Sequence, residues 1–156
     1  MRTYPDYVMK LSERLDKNIK PFVITGDDIM IDANSYHDVL KSIVHIFRNS
    51  VDHGIETEDE RLEAGKGQVG NITCEIRDMQ DDFQIIISDD GRGIDVKLLE
   101  QKSLDKELYT EEELSKMNYE EKINLIFEQG ITTKEEANHI SGRGVGMSAV
   151  KKSVEE

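Results

Sequence analysis

The strongest constraint on this chain is an apolar strand that ends in two carboxylates and a pair of glycines. Residues 83–89 read F-Q-I-I-I-S-D, and the run stops at D-D-G-R-G, residues 89–93. Period-two alternation places Asp89 at the end of the core-facing row of this strand. Because a buried, unpaired carboxylate is costly, we expect Asp89 to accept hydrogen bonds from a ligand. The alternative is an ordinary exposed D-D-G turn.

A second glycine loop, S-G-R-G-V-G-M, occupies residues 141–147. Its glycines alternate at positions 142, 144 and 146, just before a predicted helix that begins at about Gly146. Backbone N–H groups in such a loop can converge on an anion at the positive end of the helix. The pattern is compatible with a phosphate cradle, and the alternative is a simple turn.

A long amphipathic helix is predicted upstream of both loops. Ser35 and Asp38 fit a capping box, and the helix is expected to run to about Asp52 and to end at Gly54. Its apolar face contains Leu40, Ile43, Val44, Phe47 and Val51, and its opposite face contains His45, Arg48, Asn49 and Asp52. Asn and His are unusual on a solvated helix face, so we interpret this polar face as a candidate site. An ordinary solvated face is the alternative.

The remaining pattern alternates helix and strand. Predicted elements are a helix over 6–16, an edge strand over 20–25, a helical turn over 60–67, a hairpin of strands 71–77 and 83–89, and helices over 111–117 and 119–127. Residues 95–140 are otherwise charged and weakly helical.

Composition excludes several classes of protein. The net charge of −13 in 156 residues argues against a general nucleic-acid surface. No apolar run approaches the roughly 20 residues that a membrane span needs. The single cysteine, Cys74, lies in an alternating apolar stretch and is predicted to be a buried hydrophobic residue. These features fit a cytoplasmic protein with neither nucleic-acid partner nor membrane insertion.

Taken together, the motifs resemble the ATP-binding catalytic domain of histidine kinases, and among these the chemotaxis histidine kinases most closely. DNA gyrase, the mismatch-repair ATPases and the heat-shock chaperone ATPases share this wider family, known as GHKL. The matching segments are H-x-x-R-N-x-x-D-H-G at 45–54, the Glu56, Glu60, Arg61, Gly65 and Lys66 pattern, D-D-G-R-G-I-D at 89–95, I-F at 126–127 and S-G-R-G-V-G-M at 141–147. The likeness extends from about Tyr4 to Ser153.

The resemblance implies an α+β fold, a two-layer α/β sandwich of the GHKL type with helices on one face of a mixed sheet. Residues 1–156 would form a single ATP-binding domain in which residues 98–140 are a mobile ATP lid. The family continues with two further strands where this chain ends at K-K-S-V-E-E, so we expect the last strands of the sheet to be missing here.

The resemblance also assigns roles to matching residues. Asn49 would hold Mg²⁺, while His45 occupies the place of a water-activating glutamate in related ATPases and would act as a catalytic residue with Lys134. Arg48 and His53 would contact phosphate. Asp89 would select adenine, and Gly91 and Gly93 would let the backbone approach the base. The predicted ATP-binding set is completed by Asp52, Ile94, Phe127, Ser141, Gly142, Arg143, Gly144, Val145, Gly146 and Met147. A surface role is the alternative for Lys134.

The implied function is the ATP- and Mg²⁺-dependent catalytic module of a two-component histidine kinase, which phosphorylates a histidine on a separate domain or protein. Expected partners are that phosphoacceptor histidine, receptor or coupling proteins, and a response regulator. A non-catalytic ATP- or ADP-binding regulatory module and a gyrase- or chaperone-type hydrolytic switch stay open as alternatives. The lid box departs from the family pattern, since Gln129 replaces a proline and Ile131 an aromatic residue. Looser lid closure is expected.

Overall fold

The computed structural model of the chain describes residues 4–32, 34–131 and 147–155. These residues belong to two compact units. The first unit comprises Met1–Leu40 and Ile46–Gly93, and the second comprises Lys41–His45 and Ile94–Glu156.

The first unit contains a mixed, three-stranded sheet. Strand β1 (Ile24–Gly26) runs parallel to β2 (Ile72–Asp78), and β2 pairs antiparallel with β3 (Phe83–Asp89). The predicted hairpin is therefore confirmed. The predicted edge strand is shorter than residues 20–25, because only an isolated bridge between Ile19 and Gly70 precedes β1.

One face of the sheet is covered and the other is exposed. In β2 the side chains of Ile72, Cys74 and Ile76 are buried, whereas Thr73 and Arg77 on the opposite face are exposed. Burial raises the pKa of the Cys74 thiol. This alternation, together with the helices of the chain, confirms the predicted α+β class with a mixed sheet.

Helices α1 (Tyr4–Arg14) and α3 (Glu58–Glu63) accompany the sheet in the first unit. Helix α2 (His37–Asn49) belongs to the first unit except for Lys41–His45. The buried apolar side chains of this unit are Val8, Leu11, Ile19, Phe22, Phe47, Val51, Ile55, Ile72, Cys74 and Ile76. The Phe47 ring lies 5.0 Å from that of Phe22 and 5.7 Å from that of Tyr4. Phe47 on α2 is thus a central core residue, as its position on the predicted apolar face indicated.

The start of α2 differs from the prediction. The helix begins at His37, its N-cap is Tyr36, and that residue makes no side-chain capping bond. The Ser35 hydroxyl instead donates to the Asp32 carboxylate at 2.6 Å. The predicted capping box of Ser35 and Asp38 is wrong because Asp32 binds Ser35 in a local turn.

The second unit is built from short helices. Its elements are α4 (Val96–Asp105), α5 (Glu111–Lys116), α6 (Tyr119–Asn124), a 3₁₀ turn (Leu125–Phe127) and α7 (Met147–Glu155). Predicted helices over 111–117, over 119–127 and from about Gly146 are confirmed. Leu99, Leu114, Leu125 and Ile131 form its buried apolar cluster. No helix within the described ranges is long and apolar enough to cross a membrane.

Candidate functional site

The first part of the candidate site is the end of β3. Asp89 lies directly opposite Ile72 in the antiparallel ladder, and opposed side chains share a face of the sheet. Asp89 therefore continues the core-facing row, as predicted. Its side chain is exposed rather than buried, however, because the strand ends there. One of its oxygens, Oδ1, accepts a hydrogen bond from the Gly91 N–H at 3.1 Å.

Two glycines lie against this carboxylate. A Cβ atom at Gly91 would come within 2.2 Å of the Gly54 carbonyl oxygen, and a Cβ at Gly54 within 3.2 Å of Asp89 Oδ1. The Arg92 N–H also donates to the Gly54 carbonyl at 2.9 Å. The turn after α2 and the loop after β3 are therefore in direct backbone contact, which any residue other than glycine at position 91 would disrupt.

The polar residues of α2 precede that turn. Helix α2 continues into a π-helical turn, Ser50–Gly54, in which the Ile55 N–H donates to the Ser50 carbonyl at 2.7 Å. The helical run therefore ends at Gly54, as predicted, but its last turn is π-helical rather than α-helical. Single π-turns are frequent at functional sites because they reorient the side chains that follow.

The predicted ligands near this turn have different degrees of exposure. Asn49, Asp52 and His53 are half-buried, and Arg48 is exposed. His53 Nε2 lies 3.6 Å from Asp52 Oδ2. His45 is half-buried, precedes Asn49 by four residues in α2 and belongs to the second unit.

A buried ion network supports the loop after β3. Arg61 is 2% exposed, and its guanidinium donates to both carboxylate oxygens of Asp90, at 3.1 and 3.0 Å, and to Glu56 at 3.2 Å. Lys66 Nζ donates to the other oxygen of Glu56 at 2.6 Å. Asp90 directly follows the last residue of β3, so the network anchors the loop where it leaves the strand.

The network holds its acids in the ionised form. Burial alone would raise the pKa of Glu56, but the hydrogen bond from Lys66 and the nearby charges of Lys66 and Arg61 lower it overall. Burial opposes ionisation of Asp90 as well, yet the hydrogen bonds from the Asn71 N–H and Arg61 lower its pKa. Both carboxylates therefore stay charged at neutral pH.

The other predicted residues fall into two groups. In the second unit, Ile94 is exposed, while Phe127 and Met147 are half-buried. Lys134 and the loop residues Ser141, Gly142, Arg143, Gly144, Val145 and Gly146 lie outside the described residues. The structure thus brings together Gly54, Asp89 and Gly91 with the turn that follows Asn49.

Sequence reasoning assigned no role to the ion network. Glu56, Arg61 and Lys66 were recognised only as letters of a motif, and Asp90 only as part of a glycine turn. The spacing of these charged residues beside glycines was a signal that could have indicated the network. Charged residues at fixed positions in a motif are unlike those of a freely solvated surface. The pairing of Asp90 with Arg61 spans 29 residues and is a tertiary contact.

Comparison with known proteins identifies relatives over almost the whole chain. It is 39% identical over 152 residues to the "Gliding motility regulatory protein" of Myxococcus xanthus, covering 97% of this chain and 19% of that protein. The chain is 35% identical to the "Sensor histidine kinase CheAY" of Helicobacter pylori, and the match covers 98% of this chain and 19% of that protein. The chain is 36% identical to the "Chemotaxis protein CheA" of Halobacterium salinarum, and the match covers 97% of this chain and 22% of that protein.

The chain thus spans about a fifth of the length of these relatives. A family model described as "Histidine kinase-, DNA gyrase B-, and HSP90-like ATPase" matches residues 38–156, which include the helix α2, the loop after β3 and α7. This match covers more than half of the chain, so the chain belongs to the histidine kinase-, DNA gyrase B- and HSP90-like ATPase family.

Proposed function

We propose that this chain is the ATP-binding catalytic module of a chemotaxis-type histidine kinase. It would transfer the γ-phosphoryl group of ATP to a histidine on a separate domain or protein. The observation that carries the proposal is the contact of Gly54 with Gly91 beside the exposed Asp89 carboxylate. The relatives named as a sensor histidine kinase and a chemotaxis protein favour kinase activity within the ATPase family.

The surroundings of Asp89 fit an adenine ring. The carboxylate oxygens of Asp89 are hydrogen-bond acceptors, and the exocyclic amino group of adenine is a donor. Gly54 and Gly91 pack directly against each other beside Asp89, so backbone rather than side chains surrounds this carboxylate. Guanine carries a carbonyl oxygen where adenine has its amino group, and this oxygen would face the carboxylate unfavourably.

The residues around the π-turn fit a magnesium-bound triphosphate. The side-chain oxygen of Asn49 is a hard donor of the kind that Mg²⁺ accepts while it keeps several waters. When bound, Mg²⁺ supplies positive charge that neutralises the phosphate oxygens. Arg48 and His53 would donate hydrogen bonds to these oxygens, and His53 Nε2 lies 3.6 Å from Asp52 Oδ2. The glycine loop at 142–146 and Lys134 stay predictions.

Alignment of the reacting groups and stabilisation of charge would supply most of the acceleration of phosphoryl transfer. In phosphoryl transfer the protein chiefly aligns the attacking and leaving oxygens and stabilises the charge on the transferred group. His45 stands four residues before Asn49, at the place where a hydrolytic relative would carry a glutamate. We interpret a histidine at this place as better suited to transfer to a protein than to hydrolysis, although its imidazole can also serve as a base.

The partners follow from this role. The acceptor histidine would lie outside the chain, and receptor or coupling proteins and a response regulator would act before and after it. Residues 1–156 would work as one ATP-binding domain with residues 98–140 as its lid. The cytoplasmic location also stays a prediction.

Nucleotide binding is tested by calorimetry of ATP and ADP, with and without Mg²⁺, on the wild type and on Asp89→Asn. We expect the variant to lose most of its affinity for both nucleotides, because the amide presents donors to the adenine amino group. Asp82→Asn, an exposed aspartate in the turn between β2 and β3, is the matched control and should bind like the wild type. Unchanged affinity in Asp89→Asn would show that the base binds elsewhere.

Catalysis is tested separately, with ATP labelled at the γ-phosphate and a purified phosphoacceptor-histidine domain from a chemotaxis kinase. Acid-labile label on that domain, with little free phosphate in its absence, is the expected result. Steady phosphate release without any acceptor would instead indicate a hydrolytic switch. Binding of Mg-ATP without either product would indicate a regulatory module.

A further inference from the structure

The buried ion network contacts the backbone of the loop that carries Asp89. Lys66 Nζ donates to the carbonyl oxygens of Asp90, at 3.1 Å, and of Gly91, at 2.8 Å. Arg61 Nη1 also reaches the Asp90 carbonyl, at 3.4 Å. Lys66 and Arg61 therefore fix the carbonyl groups of the two residues that follow Asp89.

Asp90 adds a second attachment. Its Oδ1 accepts the Asn71 N–H at 2.8 Å, and its own N–H donates to the Asn71 carbonyl at 3.1 Å. With Arg61 forked across both carboxylate oxygens, Asp90 can adopt few orientations. Since Asp89 and Asp90 are consecutive, a fixed Asp90 restricts the backbone from which the Asp89 side chain projects.

The arginine fork is suited to this task in a way that lysine is not. Arg61 also donates from Nε to the Gly67 carbonyl at 2.7 Å, so one planar group joins Glu56, Gly67 and Asp90. A lysine at this position would retain the charge but would lose the fixed geometry of the fork. The side chain is too deeply buried to be explained as a surface charge.

We propose that Arg61, with Lys66, is a positioning residue for recognition of the adenine base. The two cations bind the Asp90 carboxylate and the Gly91 carbonyl. The Asp89 carboxylate and the Gly54–Gly91 contact are then already in position when the base binds. This inference rests on the proposed function, since it assigns Asp89 to adenine. Neither cation would touch the nucleotide.

The test is a calorimetric titration of wild type, Arg61→Lys and the control Arg77→Lys with ATP and with ADP in the presence of Mg²⁺. Arg77 is an exposed arginine of β2 paired with Glu75, so its replacement leaves the network intact. For Arg61→Lys we expect Kd to rise on the order of tenfold for ATP and by the same factor for ADP, because both carry the same base. The binding stoichiometry, which counts folded molecules, should stay unchanged.

A purely structural role of Arg61 would have a different signature. The melting temperature and the stoichiometry would fall while Kd matched that of Arg77→Lys, and this result would overturn the inference. A loss of affinity for ATP without a loss of affinity for ADP would also overturn the inference, because the effect would then lie at the terminal phosphate.

A second variant covers the case in which Arg61→Lys does not fold. Lys66→Met removes a partly exposed cation and its bonds to the Asp90 and Gly91 carbonyls, so the same joint loss of ATP and ADP affinity is expected. Unchanged affinities in this variant would overturn the inference while wild-type binding upheld the proposed function. Absence of nucleotide binding by the wild type would overturn both.

Discussion

The loop at residues 89–93 and the helical segment at residues 96–131 are stabilised by different interactions. The loop is fixed by Arg61 and Lys66 through directional bonds to Asp90 and to backbone carbonyls. The segment is held by four buried apolar side chains, Leu99, Leu114, Leu125 and Ile131, and by caps at its short helices. Directional bonds specify one position of a backbone, whereas a small apolar cluster mainly favours burial.

This difference fits the different tasks that the proposed function gives to the two regions. In that proposal the loop presents the Asp89 carboxylate to a base, a task that benefits from contacts that hold one geometry. A segment that is held by a small cluster and local caps can rearrange at a lower cost. The expected lid role of residues 98–140 is consistent with the second case and stays a prediction.

The largest expected effect is on the loop. Arg61→Met would leave Glu56 buried with Lys66 as its remaining cationic partner and would release Asp90, at a cost of about 3–5 kcal/mol in the free energy of unfolding. Urea unfolding followed by circular dichroism measures this change. Arg77→Met, which breaks the exposed pair with Glu75, should change the free energy of unfolding far less, because solvent screens this pair. Equal losses in the two variants would mean that burial of the network adds nothing.

A smaller effect is expected in the helical segment. Leu125→Ala removes a side chain that is 2% exposed from the four-residue cluster and should cost about 2–3 kcal/mol. Hydrogen exchange should show faster exchange of amides in residues 96–131, with little change in the sheet. Leu108→Ala, at an exposed leucine of the same segment, is the control. Loss of protection in the sheet as well would show that the two units unfold together.

The regular elements were predictable because their signals are local. Alternation identified β2 and β3, and the short run between them identified their turn. The segments 111–117 and 119–127 were also predicted to be helical, and in the structure each begins after its own capping residue. The position of Asp89 in its row followed from period two, and its exposure at the strand end agrees with the alternative of an exposed turn.

The errors arose where contacts between distant or competing residues decide the structure. Ser35 was expected to cap α2, but Asp32 binds its hydroxyl, so the helix begins later. The π-turn depends on the bond from the Ile55 N–H to Ser50, which periodicity does not encode. The roles of Arg61 and Asp90 depend on a pairing that only the folded chain brings about.

Acid should lower the free energy of unfolding, and part of this loss should depend on Glu56. Its folded-state pKa lies below the ordinary value of 4.5, so its contribution to stability is complete above that pH. The contribution is lost as the pH falls below about 4.5 and through the lowered value. The free energy of unfolding should therefore fall more steeply with acid in the wild type than in Glu56→Gln. Glu63→Gln, at an exposed glutamate of α3, should follow the wild type, and parallel curves for all three proteins would contradict the assignment.

The smallest effect tests the caps of the helical segment. The Thr110 hydroxyl accepts the Glu113 N–H at 3.3 Å, and the Glu113 carboxylate accepts the Thr110 N–H at 2.8 Å. Thr110→Ala removes half of this capping box and should cost about 1 kcal/mol, because one N–H at the start of α5 loses its partner. The control is Ser115→Ala in the same helix, where alanine should be neutral or slightly stabilising. Hydrogen exchange should detect the Thr110→Ala loss at the first amides of α5 and should leave the amides of Gly91 and Arg92 unchanged. Faster exchange at these loop amides would show that the segment and the loop share one stabilising unit, and the contrast between the two regions would then fail.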